Sequence, residues 1–443
     1  MEDKNNNLSR RNFAKESSLL AGGLLLAPNL FAGSPRFNQT RKLKIAVVGC
    51  GGRGTGAASQ ALIADENVEL VALADAFKDR VEKTHINLTK IFGSSDKMNV
   101  KPSHKFVGFG SYKKAIHAAD VVILATPPGF RPQHFEYAIG QGKHVFMEKP
   151  VATDVAGIKK VLTAAKVAKA KNLNVVVGLQ RHYQNNYIQA YNLIEKGEIG
   201  QIVSGQIYFN MGNLWVKPRK FNQKEMEYQM KNWYYFTWIC GDHILEQHIH
   251  NIDVANWFVG GYPIKATGTG GREIRKGKDH GHIFDHHVVE FEYENGTIIS
   301  SQCRQQNGTK NRVDETFQGT KGTVYTSGSG NAILKDYDGK QIYTHDDKND
   351  INPYQLEHNR LFKSIRNGEV ICDAENAAKS NMTAIMGRMA TYSGKEITWD
   401  KALASDHKLV PDEDALTFDS VPPVIRDEFG NYPLPVPGKT KFY

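Results

Sequence analysis

Between about Lys42 and Gly178 the apolar residues gather in short, nearly unbroken runs, in "KLKIAVVG", "VELVALAD", "ADVVILATPP" and "GKHVFMEKP", separated by turns and stretches of helical spacing. Runs of this kind fit strands buried on both faces, and their alternation with helices predicts a doubly wound parallel sheet. From "IVSGQIYFN" onward the texture changes, because polar and apolar residues now alternate. "FDHHVVEFEYENGTIISSQCRQ" reads as a hairpin whose Asn295-Gly296 pair suits a type I′ turn. Such strands predict a large, open, mainly antiparallel sheet, and the stretch from Asn307 to Asn349 reads as more strands and polar loops. The fold class is thus α/β followed by α+β. The tail from about Ser405 carries prolines, lacks a helical period and predicts an extended arm, on this subunit or a neighbour.

One segment of the second half has helical spacing, "CGDHILEQHIHNIDVANWFVGG". Asp242 can cap its start, and Gly260 and Gly261 can end it. At about 100° per residue His243, Glu246, His250, Asp253 and Trp257 share one stripe, with His248 roughly opposite. A carboxylate one turn before a histidine suits an acid/base pair, in which Glu246 orients the ring of His250. A metal site is the rival reading, built from His243, Glu246 and His250 with His282, Asp285, His286 and His287 of "HIFDHH". An acid/base pair of Glu246 and His250 needs no metal.

Gly49, Gly51 and Gly54 stand in G-x-G-x-x-G spacing at the end of the first apolar run, ahead of an alanine-rich helical stretch to about Ala64. In a Rossmann domain these glycines make the tight turn, admit a pyrophosphate to the backbone and let helix approach strand. The second run ends in Asp75, where a carboxylate accepts from both ribose hydroxyls and repels a 2′-phosphate, favouring NAD over NADP. Arg53 and Arg80 are the guanidinium groups that could reach such a phosphate. Thr126 and Pro127, then Glu148 and Lys149, close later strands at the carboxyl edge where ligands bind. Gly52 and Arg53 complete the expected cofactor contacts. His134 reads as a packed or capping histidine.

The G-x-G-x-x-G turn, the "TPP" after the fourth strand and above all "GKHVFMEKP" resemble the Gfo/Idh/MocA oxidoreductase family, over about Lys42 to Lys395. The resemblance implies that Lys149 lies beside the substrate hydroxyl and the nicotinamide. It implies that His250 is the base and Glu246 its supporting carboxylate, although Glu246 stands where the family has aspartate and His248 where it has glycine. An open sheet whose outer face makes homo-oligomer contacts, as a dimer or tetramer, is implied as well. Arg181 and His182 in "GLQRHYQ", with Asp253, are expected to face the substrate, Arg181 serving equally well as an ion-pair partner. Tyr183, Trp215, Trp233 and Trp238 could stack on a sugar ring.

The 443 residues suit two domains plus appendages: a leader at 1–33, a linker at 34–41, a nucleotide domain at 42–178, a substrate and oligomerisation domain at 179–404 and an arm at 405–443. The formal charge of +9 is interleaved, with no basic block carrying aromatics of the nucleic-acid-binding kind. Cys50, Cys240, Cys303 and Cys372 form no CxxC pair, which argues against a structural zinc or a disulfide framework. Ser9, Arg10, Arg11, Phe13 and Lys15 match the twin-arginine pattern S-R-R-x-F-x-K before a mildly apolar run, with small residues near Ala32 and Gly33 for cleavage. No later segment reaches the roughly 20 apolar residues of a membrane span. The expectation is a protein passed folded to the twin-arginine translocase, active in the periplasm without stable membrane insertion. Its function is expected to be oxidation of a CH–OH group of a sugar or polyol with a tightly held NAD. The alternatives are an NAD-dependent glycosidase working through transient C3 oxidation and elimination, and a non-catalytic carbohydrate-binding protein.

Overall fold

The computed structural model describes residues 41–442, so the arginine-pair leader lies outside the described residues. Leu43–Val48 forms β1, with every side chain buried except that of Lys44. A strand apolar on both faces needs helices on both sides, and the next elements supply them. These are α1 (Gly52–Ala64), β2 (Val68–Asp75), α2 (Lys78–Phe92), β3 (Lys105–Val107), α3 (Ser111–Ala118), β4 (Val121–Leu124), α4 (Arg131–Gly140), β5 (His144–Met147), α5 (Val155–Ala170) and β6 (Val175–Val177). The six strands are parallel in the order β3-β2-β1-β4-β5-β6. Ile45 and Val47 meet Ala61 and Leu62 of α1 and Leu88 of α2 in one apolar layer. Ala46 and Val48 belong to the opposite layer with Ile116, Ile139 and Val161.

The chain continues through α6 (Asn185–Glu195), β7 (Ile202–Met211), α7 (Glu225–Lys231), two single turns α8 (Thr237–Cys240) and α9 (His243–Glu246), and α10 (Ile249–Val259). Then follow β8 (Pro263–Gly271), β9 (His286–Tyr293), β10 (Ile298–Gln305), β11 (Arg312–Gly319), β12 (Gly322–Ser327), β13 (Ala332–Asp336) and β14 (Gln341–Thr344). Last come α11 (Pro353–Asn367), α12 (Ala374–Ser393), β15 (Ile397–Thr398) and α13 (Trp399–Ala404). The second sheet runs β14-β13-β12-β11-β7-β10-β9-β8-β15, antiparallel throughout except for the pair β7 and β10. In β10 Ile299, Ser301, Cys303 and Gln305 are buried while their neighbours are not, the alternation of a sheet covered on one face. Helices α10 and α12 supply that cover, with Phe258 of α10 at 5.3 Å from Phe317 of β11, ring centre to ring centre.

Two local features differ from the sequence reading. The β9–β10 connection is a three-residue loop: the Gly296 amide donates to Tyr293 O, Gly296 takes a φ of +81°, and Asn295 does not take a positive φ. That is a type I turn closed by a left-handed glycine rather than a type I′ turn. The second is α11, which comes late in the chain yet packs on α1, its Leu361, Phe362 and Ile365 sharing the apolar layer of Ile45 and Val47.

Candidate active site

Gly49, just after β1, has a φ of +99°, and a Cβ there would lie 2.4 Å from the amide nitrogen of Thr126. At Gly54 a Cβ would meet the carbonyl oxygen of Gly49 at 1.9 Å. Both positions therefore require glycine. The turn they build sits between β1 and β4, where the strand order reverses, and a cavity of about 1060 Å³ opens there. Gly49, Gly51, Gly52, Arg53, Gly54, Asp75, Thr126, Pro127, Glu148, Lys149, Glu246 and His250 all line it.

The nucleotide half of this cavity fits a dinucleotide. Gly51 caps α1 with no side-chain bond to the helix, and a Cβ on Gly51 or Gly52 would meet nothing within 4 Å. First-turn amides without an intrahelical partner thus face open space suited to a pyrophosphate. Asp75 accepts from the amide of Cys50 at 2.7 Å and of Phe77 at 2.9 Å, one on each oxygen. Each oxygen keeps a lone pair for a ribose hydroxyl. Burial raises the Asp75 pKa against the pull of those amide bonds. Asp75 therefore also anchors the glycine loop. Arg53 is engaged elsewhere: it pairs with Glu148, donates to Gln60 at 3.0 Å and lies 4.9 Å over the ring of Tyr354.

At the other end the Lys149 ammonium donates to the main-chain oxygen of Glu246 at 2.5 Å and lies 3.8 Å from its Oε2. Burial raises the Glu246 carboxyl above the ordinary range although Lys149 and Arg131 oppose the shift. His250 stands on the first turn of α10, its Nδ1 buried and without a partner among the described residues. Burial, reinforced by Lys149 and Arg181, holds its pKa well below the usual histidine value, so the ring is neutral at neutral pH. One correction follows for the expected pair. No hydrogen bond joins Glu246 to His250; the Glu246 side chain approaches Lys149 instead.

The cause is a break in the expected helix. Asp242 does cap the start, accepting from the His243 amide at 2.5 Å, and Gly260 ends α10 with a φ of 76°. In between, Gln247 and His248 keep right-handed helical dihedrals but the hydrogen-bond ladder slips, His248 N donating to His243 O five residues back, and the fully buried His248 ring meets Ser301 of β10 at 2.7 Å. His243 does not line the cavity; its Nδ1 meets Asp242 at 2.7 Å. Arg181, His182 and Asp253 do not reach the cavity either. Gln180 alone of its short 3-10 turn lines it, while Arg181 is buried in an ion pair with Glu315 of β11. His182 meets Asp253 at 2.8 Å and packs on Trp257 at 4.3 Å, and Ser380 donates to Asp253 at 2.7 Å. Of the aromatic candidates Trp215 and Trp233 line the cavity, whereas Trp238 is buried and Tyr183 bonds Asp373.

The residues of the metal reading are dispersed. His282 meets Thr237, His286 meets Asp285, and Asp285 also accepts the amides of Glu273, Ile274 and Arg275. Asp242, His243 and His287 do converge, each offering an atom within 4.8 Å of the others. Asp242 also accepts from Phe284 N and Tyr392 Oη and lies 3.3 Å from His287 Nε2, while His243 Nε2 and His287 Nε2 have no hydrogen-bond partner among the described residues. Burial would push the Asp242 carboxyl up, but the imidazoles of His287 and His243 outweigh it and hold it well below the usual range.

Arg131, Tyr354 and Gln180 are among the cavity residues that escaped the sequence reading. Arg131, buried, donates to the carbonyls of Thr126 and Pro150 and so joins two strand ends that form the wall. Burial brings its pKa down to about 10. Tyr354 comes from α11, and Gln180 follows β6. The run "PPGFRP" with its arginine after β4 was the one available signal.

Comparison with known proteins agrees with this geometry. Residues 43–179 match an oxidoreductase family with an NAD-binding Rossmann fold, and residues 187–325 match the GFO/IDH/MocA C-terminal domain. The inositol 2-dehydrogenase of Rhizobium meliloti is 25% identical over 215 residues, 47% of this chain and 58% of that protein. A glycosyl hydrolase family 109 protein of Solibacter usitatus is 28% identical over 222 residues, 46% of each chain. The chain spans about half the length of the curated relatives it matches. The aldose-aldose oxidoreductase of Caulobacter crescentus, crystallised with glycerol, shares the fold with a TM-score of 0.64 at 17% identity, over 81% of this chain and all of that one. With a glycine turn, an acid-ended second strand and an EKP strand end on one cavity, matched in order by both family domains, the chain belongs to the Gfo/Idh/MocA oxidoreductase family.

Proposed function

We propose that the protein oxidises or reduces a CH–OH carbon of a sugar or polyol with NAD held in the cavity. The observation that carries this reading is the meeting of Lys149, Glu246 and His250 on the same cavity as the glycine turn and Asp75. When bound, the nicotinamide supplies a hydride acceptor or donor. Neutral His250 takes the proton of the substrate hydroxyl, and the Lys149 ammonium stabilises the charge that develops on that oxygen. Glu246, 3.8 Å from Lys149, balances that ammonium. Asp75 at the end of β2, with Arg53 occupied by Glu148, supports NAD over NADP.

The twin-arginine pattern supports export of the folded protein to the periplasm, where free NAD is scarce. That setting favours a retained cofactor, reduced by one carbohydrate and reoxidised by a second. The likeness to a glycosyl hydrolase family 109 protein favours a second reading, in which transient oxidation drives elimination of a glycosidic group. The test is to denature the purified protein, identify the released nucleotide, and incubate native protein with free sugars and aryl glycosides. Cofactor reduction by free sugars supports the oxidoreductase. Catalytic aryl release without net reduction supports the glycosidase, and neither activity defeats both.

A further inference from the structure

We infer that the C-terminal arm, residues 405–442, straps the nucleotide end of the cavity shut, with Asp414 and Phe418 acting as positioning residues for the cofactor. The inference rests on the cavity being a dinucleotide site. Two walls flank that end. Phe77, Phe109 and Tyr112 form one, and Tyr228, Met230, Lys231 and Trp233 from α7 and the turn after it form the other. They already touch, for the Lys231 ammonium lies 5.1 Å from the Phe77 ring centre.

The arm is fastened to both walls. On the first, Asp414 pairs with Lys113 at 2.8 Å and accepts from Tyr112 at 3.3 Å and Gln133 at 3.1 Å. Phe418 packs behind the same wall, 5.1 Å from the rings of both Phe77 and Phe109. On the second, Gln229 donates to Val424 O at 2.6 Å, Lys224 pairs with Asp419, and Glu225 accepts from Tyr432 at 2.5 Å and meets Arg426 at 3.4 Å. Both ends are anchored. The Leu409 amide donates at 2.6 Å to Asp154, the buried cap of α5, and the Gly438 amide donates to Ser393 O at 2.7 Å.

A long run with little regular structure in a compact protein is ordinarily a working segment. Here it buries Leu416, Tyr432 and Phe442 to 8% exposure or less, so it is not a frayed tail. A cofactor leaving between the two walls must part them, and parting them strips the arm from one side. Asp414 itself is half exposed, and pairs of that kind add little to global stability. Its removal therefore leaves a folded protein whose cleft opens more readily.

The test uses NADH as probe on the full chain. Release of bound NADH is followed by fluorescence on mixing with excess NAD, in the unaltered protein and in Asp414→Ala, Phe418→Ala and the double variant, each checked by thermal unfolding. Losing the aromatic contacts and the shared carboxylate speeds release about tenfold in the double variant. Phe418→Tyr, which keeps the ring against Phe77 and Phe109, retains slow release, which a general loss of structure would not allow. An unchanged release rate in a folded double variant overturns the strap. A second measurement needs no variant: by linkage, NADH must slow proteolysis within the arm of the unaltered protein, and an unaltered cleavage rate likewise overturns it. If the unaltered protein takes up no NADH at all, the dinucleotide reading itself fails, and the strap with it.

Discussion

The ammonium of Lys149, just past the end of β5, donates to the main-chain oxygen of Glu246 at the end of α9, across 2.5 Å. This bond ties the parallel sheet to the turn that leads into the helix of His250. Lys149 thus fixes the spacing between the two halves of the site as well as supplying charge.

Lys149→Ala is expected to lower turnover of a responsive sugar by about a thousandfold, since it removes a preorganised charge from the reacting oxygen. Lys149→Arg is not expected to restore it, because a planar guanidinium cannot replace a compact ammonium at a main-chain oxygen. Absorbance of NADH formed from NAD measures both, and near-normal turnover in the alanine variant refutes the assignment.

The pH profile of kcat/KM should carry its acid limb well below the ordinary histidine range. Burial and the Lys149 and Arg181 cations disfavour the imidazolium of His250, so the neutral, proton-accepting ring persists as pH falls. A limb at the usual histidine value would exclude His250 as the base in this environment.

Stability should fall as the medium is acidified from pH 6.5 toward 4. Burial brings the pKa values of His144, His243 and His282 down to about 4 from 6.5. Their folded values lie below their unfolded ones, so the unfolded chain binds more protons below pH 6.5, and acid favours it. The stabilisation is complete above the unfolded value and is lost through the folded one. For His144, whose Nδ1 accepts the Asn174 amide at 2.9 Å, the loss approaches roughly 3 kcal/mol. Urea unfolding at pH 7.5 and 4.5 checks this, and His144→Gln should flatten part of the slope.

Asp75→Ser is expected to weaken NAD binding by about tenfold and to narrow the preference over NADP, since the ribose loses an acceptor and a 2′-phosphate loses its repeller. Titration with NADH and NADPH measures it. An unchanged ratio would mean that Asp75 serves only its loop amides, Cys50 and Phe77.

The phosphate-binding turn and the EKP strand end were legible because they are local: the spacing of Gly49, Gly51 and Gly54 and the position of Lys149 follow from one strand and the turn after it. Asp242 and Gly260 likewise marked the ends of their segment. The break at Gln247 and His248 was not legible, since the partner of His248 is Ser301 on a strand far along the chain. For Arg181 the ion-pair role was one of the two readings the sequence left open, but its partner was not legible: Glu315, which Asn251, Tyr187 and Thr326 also bond, lies on β11. Periodicity reports which face of a helix is apolar; it carries no record of which distant carboxylate claims an arginine.

Helix α11 bears on how the protein is made. Leu361, Phe362 and Ile365 complete the apolar layer begun by Ile45 and Val47, so a ribosome must deliver most of the chain before the first sheet is fully covered. A fragment ending near residue 179 would leave that layer wet and prone to aggregate, and supplying Pro353–Asn367 as a separate peptide is the direct remedy.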